Sequence, residues 1–179
     1  MYTDYIETPL GMVEIKASEK GVRHVIFCGS ERTTVQPSSI TDCCKQQLKD
    51  YFDGSRKEFD LPLDPQGTDF QKSVWAILAK ISFGETLSYM DIAEKLNNPK
   101  GVRAVGGANG RNPISLILPC HRVVGSNGTL TGYAGGVARK QWLLEHEGIQ
   151  LNFLRKNEQL DLQDIIHTRQ DKTRFLNKP

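Results

Sequence analysis

The apolar residues of this chain change their period once, and that change limits the folds open to it. Across residues 2–28 they alternate loosely with polar ones, the two-residue period of a strand with one buried face. Thr8-Pro9-Leu10-Gly11 and Ser18-Glu19-Lys20-Gly21 punctuate the run as turns, so three short antiparallel strands are predicted. From about Ser38 to Phe52 there is no Gly or Pro, Ile40, Cys44, Leu48 and Tyr51 recur at helical spacing, and Gly54 is placed to cap the end. One helix is expected to cover the small sheet. The stretch Leu61-Pro62-Leu63-Asp64-Pro65-Gln66-Gly67 resists regular structure and marks a division into residues 1–64 and 68–148.

Beyond that stretch the period is helical. Thr68 and Gln71 form a capping box ahead of an apolar stripe of Phe70, Val74, Ile77, Leu78 and Ile81. Ser88 and Asp91 repeat the pattern before Ile92, Ala93 and Leu96, and Asn98-Pro99 supplies a cap and first-turn proline for a helix through about Ala108. The last two helices have the outline of a helix-turn-helix, a shape that an ordinary helical hairpin shares. Val102, Ala104, Val105, Gly106, Gly107 and Ala108 make the second of them almost uniformly small, which suits close approach either to a groove or to the protein's own core. Ile114–Leu118 reads as a buried apolar strand. The predicted class is α+β, and 179 residues suffice for one domain or for two small ones sharing a core.

The net charge of +2 conceals a lopsided distribution. Between Lys95 and Leu144 stand seven basic residues (Lys95, Lys100, Arg103, Arg111, Arg122, Arg139 and Lys140) and no acidic one, leaving 16 basic against 21 acidic residues elsewhere. Such a segment suits either a polyanion or a solvated basic surface. No apolar run approaches the roughly 20 residues that cross a bilayer, and the amino terminus carries acids rather than a basic region followed by an apolar one, so a cytoplasmic protein without a membrane partner is expected. Four cysteines, at 28, 43, 44 and 120, form no C-x-x-C pair and fit neither a disulfide framework nor a zinc site. No metal is expected.

One thiol has chemical company. Cys120 ends an apolar run and is followed by His121 and Arg122, and cationic neighbours lower a thiol's pKa toward the nucleophilic thiolate. Adjacent strand residues face opposite ways, so His121 reaches that thiol only where the backbone bends or through a water, and Pro119 favours a bend. A buried cysteine acting as a small hydrophobe is the plainer alternative. Glu145 and Glu147, both at the end of a helix able to fold back on the thiol, are not separable as its acid by these arguments.

The string Pro119-Cys120-His121-Arg122-Val123 resembles the active-site signature of the O6-alkylguanine-DNA alkyltransferases. Ser88-Tyr89, Arg103-Ala104-Val105-Gly106-Gly107-Ala108, Asn112-Pro113, Gly132-Tyr133-Ala134-Gly135-Gly136 and Trp142-Leu143-Leu144-Glu145-His146-Glu147-Gly148 fall in the family's order and spacing. The resemblance runs from about Phe70 to Gly148, with the first sixty residues similar only in general layout. It implies a ribonuclease H-like antiparallel sheet with a covering helix, followed by a winged-helix-like domain containing the helix-turn-helix. It also implies stoichiometric, irreversible transfer of an alkyl group from O6-alkylguanine in double-stranded DNA to Cys120, without a cofactor, by a monomer. Whether O4-alkylthymine is also repaired is left open.

The same resemblance assigns roles. Cys120 attacks as thiolate, His121 accepts its proton through a water, Glu147 orients the imidazole, and the Tyr89 hydroxyl donates to the purine as charge develops. Arg103 enters the base stack from the minor groove in place of the everted nucleotide, with Lys100, Ala104, Gly106 and Arg122 at the DNA and Asn112 tying the recognition helix to the cysteine turn. Tyr133, Ala134 and Gly135 form the pocket loop, and the carbonyls of Cys120 and Val123 accept from the guanine amino group. Three departures stand out: the zinc-binding residues of some members are missing, Ala134 replaces a serine, and Ser115 stands where proline occurs. The polar tail, residues 149–179, is expected to be weakly helical or irregular. Two rival functions remain, a lesion binder that does no chemistry, against which Cys120 itself argues, and a helix-turn-helix regulator with a sensing thiol.

Overall fold

In the computed structural model, which describes residues 1–150, the alternating segment forms β1 (Tyr2–Thr8), β2 (Gly11–Ala17) and β3 (Val22–Phe27), paired antiparallel in that order. The expectation for the tail falls outside the described residues from 151 onward. Period-2 burial is cleanest in β2, where Val13, Ile15 and Ala17 are buried and Met12, Glu14 and Lys16 lie on the partly exposed face. Helix α1 (Ser39–Asp53) covers the inner face through Cys44, Leu48 and Tyr51. Its ends are chemically fixed: Ser38 and Thr41 form a reciprocal capping box, and Gly54, left-handed at φ 89°, returns its amide to the Asp50 and Tyr51 carbonyls. The linking stretch is not free of the sheet, since Val22 N donates to Pro62 O and Asp64 N to Val22 O, both at 2.8 Å.

Helices α2 (Asp69–Leu78) and α3 (Tyr89–Lys95) begin at the capping boxes read from Thr68 and Ser88. The following helix departs from expectation. Asn98 makes no capping bond; its side chain packs against Gly101 instead, residues Pro99–Gly101 take one turn of 3-10 helix, and α4 runs from Val102 to Gly110. A second correction concerns Ile114–Leu118, which is buried but turned. Only Ile114 bridges to the sheet, at Val25, while Leu116 sits at φ 74° and Leu118 N closes onto Ile114 O at 2.9 Å. Apolarity reported burial rather than extension there, and Pro113 and Pro119 at the two ends have no amide to offer a continuing ladder.

Two short elements complete the fold around the turn. Residues Leu87–Ser88 (β4) and Val123–Val124 (β5) pair in parallel, and α5 (Val137–His146) closes the chain's described part. One main apolar core joins the sheet to the helices: Val13, Ile15 and Val25 from the sheet, Leu48 from α1, Val74 and Leu78 from α2, Val105 from α4, Ile114, and Leu143 from α5 belong to it, and Val124, Leu130 and Leu144 form a smaller cluster beside it. Trp75 ties α2 to α4 by donating from Nε1 to the Ala108 carbonyl at 2.9 Å.

Candidate active site

Cys120–Arg122 is one turn of 3-10 helix between Pro119 and β5, so strand alternation does not separate these three side chains. The turn is held from both sides. Asn112 donates from Nδ2 to Leu118 O at 2.7 Å and accepts from Ile114 N at 3.0 Å, and Ser115 N donates to Val25 O at 2.9 Å. Pairing of β5 with β4 then brings the start of α3, with Tyr89, alongside. Cys120 is 3% exposed and His121 fully buried.

Beside that turn, the end of α5 delivers one carboxylate. Glu147, 5% exposed, accepts at Oε1 from His121 Nε2 (3.1 Å), Tyr51 Oη (3.1 Å), Arg122 Nε (3.0 Å) and Arg122 Nη2 (2.5 Å), and at Oε2 from Arg122 Nε (3.0 Å). Glu145 is exposed and bonds Gln141. Arg122 was expected at the DNA. Its side chain is 7% exposed, and its remaining arm donates from Nη1 to Ile81 O at 2.6 Å, so the guanidinium faces inward as the counter-ion of Glu147.

These surroundings set the protonation states. Burial would push the Glu147 carboxyl up, but hydrogen bonds and charges from His121 and Arg122 outweigh it and hold the group at about 2. Burial lowers the His121 pKa, against the pull of Glu147, so the imidazole is neutral at pH 7. An ionised acceptor at Nε2 fixes the proton there and leaves Nδ1, buried and without a hydrogen-bond partner, as the basic nitrogen. The expectation of a thiol with lowered pKa is corrected: burial raises Cys120, and Asn112 and Lys140 only partly oppose it. The resting group is a thiol, which needs a base.

The loop after β5 roofs the thiol. Tyr133 is buried with its hydroxyl unpartnered, Ala134 is exposed, and a methyl group on Gly135 would fall 2.7 Å from Tyr133 Cε1, so only glycine lets the ring lie there. Lys140 was read as part of a basic surface, and no sequence signal marked it otherwise. It is fully buried, donates from Nζ to the carbonyls of Val123 and Thr131, the latter at 2.9 Å, and is lowered to about 8 by desolvation. Thr131 O also accepts from the Tyr89 hydroxyl at 3.3 Å. Lys140 thus stitches β5 to the roof of the site.

Two family profiles account for nearly all of the described chain. The 6-O-methylguanine DNA methyltransferase, DNA binding domain, matches residues 69–149, and the 6-O-methylguanine DNA methyltransferase, ribonuclease-like domain, matches residues 1–65. The chain belongs to this family. A methylated-DNA–protein-cysteine methyltransferase of Methanosarcina barkeri is 46% identical over 153 residues, spanning 82% of this chain and 97% of the relative. The constitutive methylated-DNA–protein-cysteine methyltransferase of Bacillus subtilis is 43% identical over 158 residues, 83% of this chain and 96% of the relative. Among solved structures, Mycobacterium tuberculosis OGT in complex with DNA superposes with TM-score 0.77 at 38% identity, covering 93% of this chain and 99% of that one. The amino-terminal third, whose sequence resembled the family only in layout, is therefore part of the match.

For a 6-O-methylguanine DNA methyltransferase the placement of the basic residues matters. Of the seven in the acid-free segment, Arg122, Arg139 and Lys140 are buried; Arg139 donates to Leu10 O at 2.9 Å and Gly135 O at 2.8 Å. Lys95, Lys100, Arg103 and Arg111 are exposed, and all four lie on or beside α3 and α4. Ala104 is exposed next to Arg103. A methyl group on Gly106 would meet only Tyr89 Cδ1, at 4.0 Å, one on Gly107 only Arg111 Nη1, at 3.8 Å, and one on Gly110 nothing. The protein's own core does not require these glycines. Of the remaining groups, Cys28 and Cys44 are buried and Cys43 exposed, none of them in a disulfide, and His146 bonds the Tyr51 carbonyl at 2.8 Å. No helix among the described residues is long and apolar enough to cross a membrane.

Proposed function

We propose that this protein is a single-turnover methylated-DNA–protein-cysteine methyltransferase that restores O6-alkylguanine in double-stranded DNA by taking the alkyl group onto Cys120. One observation carries this reading: in a chain of this family, a buried thiol, an imidazole with one free basic nitrogen and an ionised carboxylate follow one another at the Cys120 turn. The thiol proton passes through a water to His121 Nδ1, and Glu147 stabilises the imidazolium. Cys120 Sγ attacks the alkyl carbon in line; the S–C bond forms, the C–O6 bond breaks, and its electron pair passes to the purine. Tyr89 leaves the Thr131 carbonyl to donate to the ring as that charge develops. The Val123 carbonyl, with one lone pair on Lys140, and the Cys120 carbonyl accept from the guanine amino group, and Tyr133, Ala134 and Gly135 bound the pocket. O4-alkylthymine offers the same alkyl–oxygen bond and is a second candidate substrate.

The segments on either side of residues 65–67 act as an amino-terminal support and a DNA-reading domain. In the latter, α3 and α4 form the helix-turn-helix of a winged-helix-like unit, with α4 in the minor groove. Exposed Lys100, Arg103 and Arg111 supply phosphate affinity. Glycines not needed by the core let the helix sit close, and Arg103 replaces the extruded base. The protein works as a cytoplasmic monomer without a cofactor. Intact-protein mass spectrometry after exposure to duplex DNA bearing O6-methylguanine tests the reading: one methyl mass per molecule, on the peptide containing Cys120 and absent from Cys120→Ser, is expected. Multiple turnover, or wild type left unmodified, refutes it.

A further inference from the structure

Four hydrogen bonds converge on one oxygen of Glu147, and one of them comes from a residue 96 positions earlier in the chain. Tyr51, on the last turn of α1, is fully buried and donates from its hydroxyl to Glu147 Oε1 at 3.1 Å. Its backbone is held by the same neighbourhood: His146, adjacent in sequence to Glu147, bonds the Tyr51 carbonyl from Nε2 at 2.8 Å, and its ring lies edge-on to the Tyr51 ring, 5.2 Å between centroids. Trp142 stacks on His146 at 4.9 Å, and Phe52, Phe59 and Phe83 close around the phenol. A purely packing role needs no hydroxyl aimed at a carboxylate, and phenylalanine would fill the same space.

We propose that Tyr51 is a positioning residue for alkyl transfer, by which the amino-terminal helix fixes the Glu147 carboxylate and limits its basicity toward His121. The inference rests on the transferase reading for its consequence, not for its geometry. Charged and titratable groups facing the carboxylate are His121 and Arg122 from the cysteine turn, Tyr51 from α1, and Tyr133 from the roof loop, with Lys140 acting on His121 and Cys120 on Tyr133. Of the three side chains that hydrogen-bond the carboxylate, Tyr51 alone carries no charge and no part of the proton path. Withdrawing it leaves more negative charge on Oε1, which favours the imidazolium and raises the pH at which His121 is protonated.

Tyr51→Phe is the test, read by single-turnover transfer rate against pH and by NMR titration of the His121 ring above acid unfolding. Part of a hydrogen bond to a charged group passes to the imidazole, so the acid limb of the rate and the ring's titration midpoint should both move up, by roughly half to one pH unit. Tyr51→Leu, which also removes the ring, should lower the melting temperature further while moving the limb equally. Superimposable titration and rate profiles for wild type and Tyr51→Phe overturn the proposal, whatever happens to stability. Should the midpoint move while Cys120 stays unalkylated in wild type, the Tyr51 assignment stands and the transferase reading falls.

Discussion

Glu147→Gln keeps the side chain's shape and removes its charge, and two overlapping routes give its cost. The first is the pair: the Arg122 guanidinium, 7% exposed, loses the counter-charge facing its Nε and Nη2, and breaking a buried pair on one side costs about 3–5 kcal/mol. The second is linkage: a carboxyl held at about 2 in the fold and at 4.5 when free contributes about 3 kcal/mol at neutral pH. Because the folded value is depressed, that contribution is complete above pH 4.5 and is lost as pH falls toward 2. Urea unfolding followed by tryptophan fluorescence, with Trp75 buried in the core, reads both. At pH 7 the variant should be less stable by about 3 kcal/mol, and below pH 4.5 its stability should fall more gently than that of wild type, by up to about 1.4 kcal/mol per pH unit. In single-turnover assays transfer should slow far more than lesion binding weakens. A loss under about 1 kcal/mol at pH 7, or an unchanged acid slope, refutes the view that this carboxylate is ionised and clasped.

Two further outcomes follow from α4. Arg103→Ala should slow reaction with a lesion in duplex DNA by an order of magnitude or more, while a free O6-alkylguanine base reacts at the wild-type rate; equal slowing with both would remove the base-replacing role. Gly106→Ala should leave the fold as stable or more stable, by up to about 1 kcal/mol in melting experiments, yet weaken DNA binding in titrations, and unchanged affinity would show that the small face is not the one that meets the groove.

Much of the fold was legible because its signals are local. Ser38 to Gly54, Thr68 with Gln71, and Ser88 with Asp91 each carry start or stop chemistry within four residues or one helix, and each element stands where that chemistry puts it. Misreadings arose where a residue's partner is remote. Asn98 resembles a cap until Gly101 takes its side chain, and Ile114–Leu118 resembles a strand until the two flanking prolines and the Asn112 brace turn it back. In the site, Cys120 and His121 were visible from adjacency, whereas choosing Glu147 over Glu145 depended on family resemblance until burial separated them. Tyr51 sat in an apolar stripe and looked like core, because nothing within four residues announces a partner 96 positions away.

The basic segment shows why charge counted along a chain is a poor guide to a surface. Seven cations without an acid looked like one feature, but the fold splits them by the acceptors within reach of each. Arg122, Arg139 and Lys140 flank the cysteine turn and the roof loop, where their donors meet Glu147, Ile81 O, Leu10 O, Gly135 O, Val123 O and Thr131 O. A buried cation is tolerated only with such partners, so these three are structural supports for the site rather than contacts for DNA. Lys95, Lys100, Arg103 and Arg111 lie on short helices whose inner faces are already filled by apolar residues, and they remain outside. Absence of acids over the whole segment suits the proposed function in two places. Near α4 an acid would repel phosphate, and near the thiol a second carboxylate would compete with Glu147 for Arg122 and for the imidazole.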